Sequence, residues 1–319
     1  MVANTDLISA DEYNYSRNRV SGILSDYGYT ATAVAVTSPT TSPTGTTIVS
    51  AQTSAYQWLA LVADMNRCAA HQGTTLTLPS AGRVASGNLV YATDITLFRT
   101  AADLLYTNRY NIAESSLVQL KNPQRNDTYP TSYWGAAAGS VSHNFTITFN
   151  DATHANSFFN AGGKIVWNAT RTGGAATIQN SNWTTLLNSL GTMYYGYGST
   201  VWGASGEKTG NFGYGATPTV SPGILLVQQG TDTSSSARGT FYADNDCTIS
   251  VVKSATAITF SVLFRDDDKT VAIGANPNGP YGDFDYVDGL LQSFVKVLRP
   301  SGANIDIAVP TYSFTAELT

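Results

Sequence analysis

Charge is what this chain has least of. Among 319 residues only 17 are Lys or Arg and 22 are Asp or Glu, 12% in all, about half the usual share. Lys and Arg never cluster, the net charge is −5 and the sequence pI is near 5.1. A nucleic-acid binder shows a basic patch or stripe, so nucleic acid is not an expected partner. Cysteine is nearly absent as well. Cys68 and Cys247 stand alone, neither in a CxxC, which removes any zinc or redox motif and predicts buried free thiols unless the fold brings them together. The three histidines, His71, His143 and His154, lack metal-ligand spacing such as HxxxH, and no GxSxG elbow or Cys–His pairing anchors a nucleophile. No apolar run approaches the ~20 residues that span a bilayer, so no membrane partner is expected. MVANTDLISADEYN has neither a basic nor an apolar leader region; the expectation is a protein made in a cytoplasm and soluble there. Asn144-Phe145-Thr146 and Asn168-Ala169-Thr170 then read as chance sequons.

What is present is apolar residues, 42% of the chain, enough for one large domain or two of moderate size. The first 120 or so residues repeat. ISADEYNYSRNRVSGIL from Ile8, VSAQTSAYQWLALVADM from Val49 and VYATDITLFRTAADLLY from Val90 align with Ala10, Ala51 and Ala92 in register, a period of 41 residues. Each copy reads as a capped helix with apolar residues at three-and-four spacing. The stripe is Trp58, Leu59, Val62 and Met65 in the second copy and Ile95, Phe98, Ala102 and Leu105 in the third. Three such helices must pack together, because none can bury its stripe alone. The linkers between copies are Thr/Ser/Gly/Pro-rich loops.

From about residue 135 the period changes to two. HNFTITFND puts Phe145, Ile147 and Phe149 on one face, and KIVWNAT repeats the alternation with Ile165, Trp167 and Ala169. GILLVQQ, RGTFYAD, CTISVVKS, AITFSVLFRDDD, LLQSFVKVLRP and VPTYSFTAEL continue it between Gly, Asn, Asp and Pro clusters. NSNWTTLLNSL interrupts as a helix with Trp183, Leu186, Leu187 and Leu190 on one side, closed by Gly191. The fold class is therefore mainly β with a helical N-terminal part: a small three-helix repeat region over 1–125, then an antiparallel, jelly-roll-like β-sandwich over 135–319. Within NSFFNAGGKIVWNATRTGG, Gly162-Gly163 leads into a strand rather than a helix, so it is a chain reversal and not a phosphate loop. The segment from Asp151 to Phe159 reads as a short helix or turn that drives Phe158 and Phe159 into the core.

Two features could carry function. Carboxylates cluster at Asp266, Asp267 and Asp268 and again at Asp283, Asp285 and Asp288. The second set, between glycines and aromatics, could suit a calcium ion but does not match an EF-hand, and a polar hairpin tip explains it as well. Paired acids could also serve glycoside hydrolysis, though no spacing rule marks them. The second feature is a nearly uncharged aromatic and glycine tract holding Tyr194, Tyr195, Tyr197, Trp202 and Tyr214. Tyrosine and tryptophan offer wide contact area with few rotors, so these five are candidates for a subunit interface or a glycan-binding face. The alternative is an ordered loop lying on its own sandwich.

SHNFTITFND, FFNAGGKIVWNATRTGG, NWTTLLNSLGT and the closing VDGLLQSFVKVLRPSGANIDIAVPTYS, together with the degenerate N-terminal repeats, resemble virion structural proteins of tailed bacteriophages of the contractile-tailed, marine and cyanobacterial type. The likeness is one of sequence texture over most of the chain, and such proteins bring no catalytic motif to transfer. It implies a non-enzymatic part of the virion at the neck, tail, baseplate or an attached fibre, made in the host bacterium, without cofactor. Its partners would be other virion proteins and its own copies as a homo-oligomer. A host-glycan-binding adhesin is the alternative that the tyrosines raise.

Overall fold

The computed structural model of the chain describes residues 10–36, 53–80, 82, 84, 90–129, 139–174, 176, 178–203, 212–229, 245–266 and 287–318. Three helices come first: α1 (Ala10–Asp26), α2 (Ala55–Gln72) and α3 (Ala92–Thr107). There follow β1 (Leu117–Tyr129), β2 (Ser140–Thr148), α4 (Ala152–Asn160), β3 (Lys164–Thr172), α5 (Ile178–Leu190), β4 (Met193–Tyr195) and β5 (Thr200–Trp202). The last strands are β6 (Gly223–Gln229), β7 (Asp246–Lys253), β8 (Ala257–Arg265), β9 (Gly289–Pro300) and β10 (Thr311–Leu318). The chain forms two compact units. One holds Met1–Val118, Asn156–Gly162 and Pro300–Ala308, the other Gln119–Ala155, Gly163–Arg299 and Val309–Thr319.

In the helical unit the three helices bury equivalent positions. Tyr13, Trp58 and Ile95 begin the series, then Ser16, Leu61 and Phe98, then Val20, Met65 and Ala102, then Ile23, Cys68 and Leu105. The Trp58 ring stacks on Phe98 with centroids 4.6 Å apart and meets Tyr13 edge to face at 5.0 Å. Such pairs contribute about 0.5–1.5 kcal/mol beyond the area they bury. The third-copy stripe is buried as its spacing predicts. The second is not: Leu59 points to solvent, Val62 is half-buried, and Leu61 and Cys68 take the inner face. Apolar residues recur on two sides of α2, and the side that holds Trp58, Leu61, Met65 and Cys68 is the one that packs. Ser54 and Gln57 form a reciprocal capping box, so α2 begins at Ala55, four residues beyond its place in a 41-residue register.

Two later segments complete this unit. Phe158 and Phe159, fully buried, meet edge to face at 5.0 Å. The His71 Nε2 donates to the Ala161 carbonyl over 2.9 Å, and Asn160 Nδ2 donates to Asp26 O over 3.1 Å. In the second segment Tyr29 donates its hydroxyl to Asp306 O and accepts from Asp306 N, at 2.8 and 2.7 Å. Arg67 Nε donates to Asn304 O while its guanidinium lies 4.2 Å from the Tyr29 ring centroid.

The other unit is an antiparallel sandwich of two five-stranded sheets, ordered β1-β9-β3-β4-β5 and β10-β2-β8-β7-β6. The chain changes sheet at β1, β2 and β3 and again at β8, β9 and β10, a jelly-roll-like weave. Strict alternation fills the space between the sheets. Val141, His143, Phe145 and Ile147 of β2 pair in register with Phe264, Val262, Phe260 and Ile258 of β8, and all eight are buried. The sheets meet where the Tyr195 and Phe260 rings make an edge-to-face contact at 5.0 Å and where His143 Nδ1 lies 2.8 Å from Ser293 Oγ. Helix α5 packs on β3 and buries Trp183, Leu186, Leu187 and Leu190. β1 was not foreseen; its KNPQRND centre hides the strand, and Pro123 is tolerated because β1 is an edge. The RGTFYAD strand expected at 238–244 lies outside the described residues. Among the described residues no helix is long and apolar enough to cross a membrane.

Gly162 sits at φ +88°, and a Cβ there would collide with Ile112. Gly162→Ala should therefore destabilise the chain by roughly 1–3 kcal/mol. Urea unfolding followed by circular dichroism measures this; an unchanged midpoint would show that the reversal is not constrained.

Candidate interaction surfaces

β4 carries the start of the aromatic tract between β3 and β5. Tyr195 lies opposite Ile165 and Thr200, Tyr194 opposite Val166 and Val201, and Met193 opposite Trp167 and Trp202. Directly opposite residues share a face, so Tyr195, Met193 and Trp202 point inward and Tyr194 outward. Tyr195 is fully buried, its hydroxyl bonded to Thr217 Oγ1, and burial pushes its phenol far above the usual range. Tyr214 is buried too: its carbonyl accepts from Lys253 Nζ over 2.6 Å, and the same ammonium lies 4.5 Å from its ring centroid. The loop folds back on itself through Tyr214 N to Gly196 O and Gly215 N to Tyr197 O, at 2.8 and 3.0 Å. Gly213 is required there, because a Cβ would strike the backbone of Gly196, Tyr197 and Ser199. Tyr194, Tyr197 and Trp202 are half-buried. The five candidates thus do not come together as one exposed platform.

The carboxylates that are described serve the scaffold. Asp266 is buried at the end of β8, accepts from Gln179 Nε2, and its amide donates to Gly139 O over 2.7 Å. Asp288 precedes β9 and faces Arg171, whose side chain is 4% exposed, across 3.3 Å. Arg171 also donates to Gly173 O over 3.0 Å, while Asn180 accepts from the Asp288 amide over 3.0 Å and donates its Nδ2 to Asp288 Oδ1. The group ties the ends of β3, β9 and α5 together, and burial pulls the Arg171 pKa down against the opposing effect of Asp288. Asp267, Asp268, Asp283 and Asp285 lie outside the described residues. Among the described residues no group of three His, Cys, Asp or Glu could hold a metal ion. The histidines occupy separate places: His71 and His143 as above, His154 accepting from Asn150 N at 3.1 Å. Cys68 and Cys247 are both buried, and burial pushes the Cys68 thiol up to about 12.

The helical unit carries a surface that sequence reasoning missed. Arg99 lies 4.5 Å from the Tyr15 ring centroid, Arg19 5.0 Å from Tyr15 and 4.7 Å from Tyr106, and Arg109 4.0 Å from Tyr106 and 4.5 Å from Tyr110. Three guanidinium groups and three phenols thus alternate across α1, α3 and the turn that follows α3. Arg99 pairs with Glu12 at 3.0 Å and Arg19 with Asp103 at 2.9 Å. The available signal was spacing: Tyr15 and Arg19 are four apart, and Arg99, Asp103 and Tyr106 are four and three apart. Large apolar side chains also stand exposed on this unit: Tyr56 at 85%, Leu59, Tyr91, Leu104, Tyr106 and Tyr110.

Comparison with known proteins gives no match to a family model, to a curated protein or to a solved structure.

Removing Asp288 strands a buried cation, so Asp288→Ala should cost about 3 kcal/mol. Glu12→Gln, which breaks a pair exposed on both sides, should cost about 1 kcal/mol or less. Chemical denaturation of the two variants checks the ordering, and equal losses would contradict it. Burial holds the His71 pKa below its ordinary 6.5, despite the bond to Ala161. Stability owed to neutral His71 is therefore complete above pH 6.5 and is lost as pH falls below it toward the folded-state pKa. His71→Gln keeps a donor for the Ala161 carbonyl but cannot titrate. Thermal unfolding between neutral pH and about pH 5 should fall less steeply for this variant than for the parent; parallel curves would remove His71 from the acid response.

Proposed function

We propose that this protein is a structural component of a tailed-phage virion, at the neck, tail, baseplate or an attached fibre, acting through protein–protein assembly. The observation that carries the reading is the set of large apolar side chains exposed on the helical unit, Tyr56, Leu59, Tyr91, Leu104, Tyr106 and Tyr110. Interfaces are enriched in tyrosine, other aromatics and arginine and are depleted in lysine and acids. A fold alone assigns no function; here the surface chemistry and the sequence likeness to virion proteins point the same way. Partners are other virion proteins and further copies of the chain, with obligate contacts of roughly 2,000 Å² or more covering the exposed aromatics. Its site of action is the virion, reached from the host cytoplasm.

The reading assigns no catalysis. Of the clustered carboxylates, Asp266 and Asp288 are occupied with side-chain partners inside the sandwich. The glycan-binding alternative needs aromatic rings exposed side by side, and Tyr195 and Tyr214 are buried while Tyr194 and Trp202 lie on opposite faces of their sheet.

Immunogold electron microscopy of purified tailed-phage particles that encode this chain tests the reading. Label at fixed positions on the neck, tail, baseplate or fibres is expected. Unlabelled particles, with the chain left in the soluble part of the lysate, would overturn it.

A further inference from the structure

Helix α2 has two apolar sides. One packs Trp58, Leu61, Met65 and Cys68 into the helical core. On the other, Tyr56, Leu59, Ala63, Asn66 and Ala70 recur at three-and-four spacing, and all five are exposed. No residue from Ala55 to Ala63 is charged. Asp64 turns away from this side, buried, with Oδ2 accepting from Ala33 N over 2.8 Å. Arg67 is engaged by Asn304 and the Tyr29 ring. The neighbouring helices differ: α1 shows Asp11 and Asn18 to solvent and α3 shows Asp103 and Arg99.

A helix that is apolar on both sides is normally covered on both. The three-and-four seam is the pattern of helices crossing at about 20°, and alanines at two of its five positions permit an interaxial distance near the short end of about 8–10 Å. Two further points select the occupant. Copies of this chain each carry a net charge of −5 and repel one another, so they meet most readily through an uncharged face. A single asparagine in an apolar seam finds its match in the same residue of an identical helix, where it fixes register.

We propose that α2 packs through this seam against α2 of a second copy. The inference rests on the assembly reading and names one contact within it. A helix of this length, about 27 Å, covers a few hundred Å² per copy, against about 800 Å² per partner in a stable complex. The pairing therefore acts together with other contacts, and alone it depends on protein concentration.

The test is disulfide trapping in the full chain. In the parallel register that sets Asn66 against Asn66, Ala63 at the midpoint of the seam also meets its own copy, and both native cysteines are buried. Under mild copper-phenanthroline oxidation, Ala63→Cys should form a covalent dimer at least about tenfold faster than the α1 control Asn18→Cys, because a held pair has a high effective concentration. Ala63→Glu, a surface change that leaves the helical circular dichroism intact, should lower the mass measured by light scattering. Equal trapping rates for the two cysteine variants, in a chain whose multimers survive Ala63→Glu, would overturn the α2 contact and leave the assembly reading standing. A chain that stays monomeric at every concentration and is missing from particles would overturn both.

Discussion

Scarce charge constrains everything else in this molecule. With so few ionisable groups, the chain sets several of them at joints, beside the exposed pairs Arg99–Glu12 and Arg19–Asp103. Arg171 and Asp288 tie strand ends to the start of α5. Asp246 and Arg265 close the register of β7 with β8. Asp64 holds the Ala33 amide and Asp94 caps α3. A buried pair of this kind adds little net stability against a well-packed apolar alternative, and breaking one side of it is costly. Its effect here is to fix which ends meet.

Tyrosine takes up the work that charge leaves undone. Tyr13, Tyr27 and Tyr195 lie in the cores with their hydroxyls bonded: Tyr13 to the Val34 and Gln57 carbonyls, Tyr27 to Gln72, Tyr195 to Thr217. On the outside of α1, α3 and the turn that follows α3 the phenols of Tyr15, Tyr106 and Tyr110 alternate with three arginines, each contact contributing about 0.5–1 kcal/mol at an exposed site. Outward strand positions such as Thr311, Ser313 and Thr315 are neutral and polar. Among the described residues several exposed faces are thus aromatic or neutral, which supports the proposal of assembly.

Much of the fold was legible because burial imposes strict periods. Ile95, Phe98, Ala102 and Leu105, the α5 stripe, and the alternation of Phe145, Ile147 and Phe149 are all buried where spacing puts them. Leu59 was misplaced because α2 carries apolar residues on two sides, and spacing alone does not say which side is buried. β1 escaped because an edge strand tolerates polar residues and proline. Residues 156–162 and 300–308 belong to the helical unit, and no local pattern could say so, since their partners His71, Tyr29 and Arg67 are more than 80 positions away. The tyrosine tract read correctly as aromatic and glycine-rich, but strand pairing, invisible in one sequence, decides which ring faces which way.

The assembly proposed here runs through uncharged faces. Sedimentation of the full chain over a range of concentrations, at about 0.05 M and about 0.5 M salt, tests it most directly, because ionic contacts are screened over that range and apolar ones are not. The prediction is association that rises with concentration and is as strong or stronger at high salt. Multimers that dissolve as salt increases, or a monomer throughout, would contradict it.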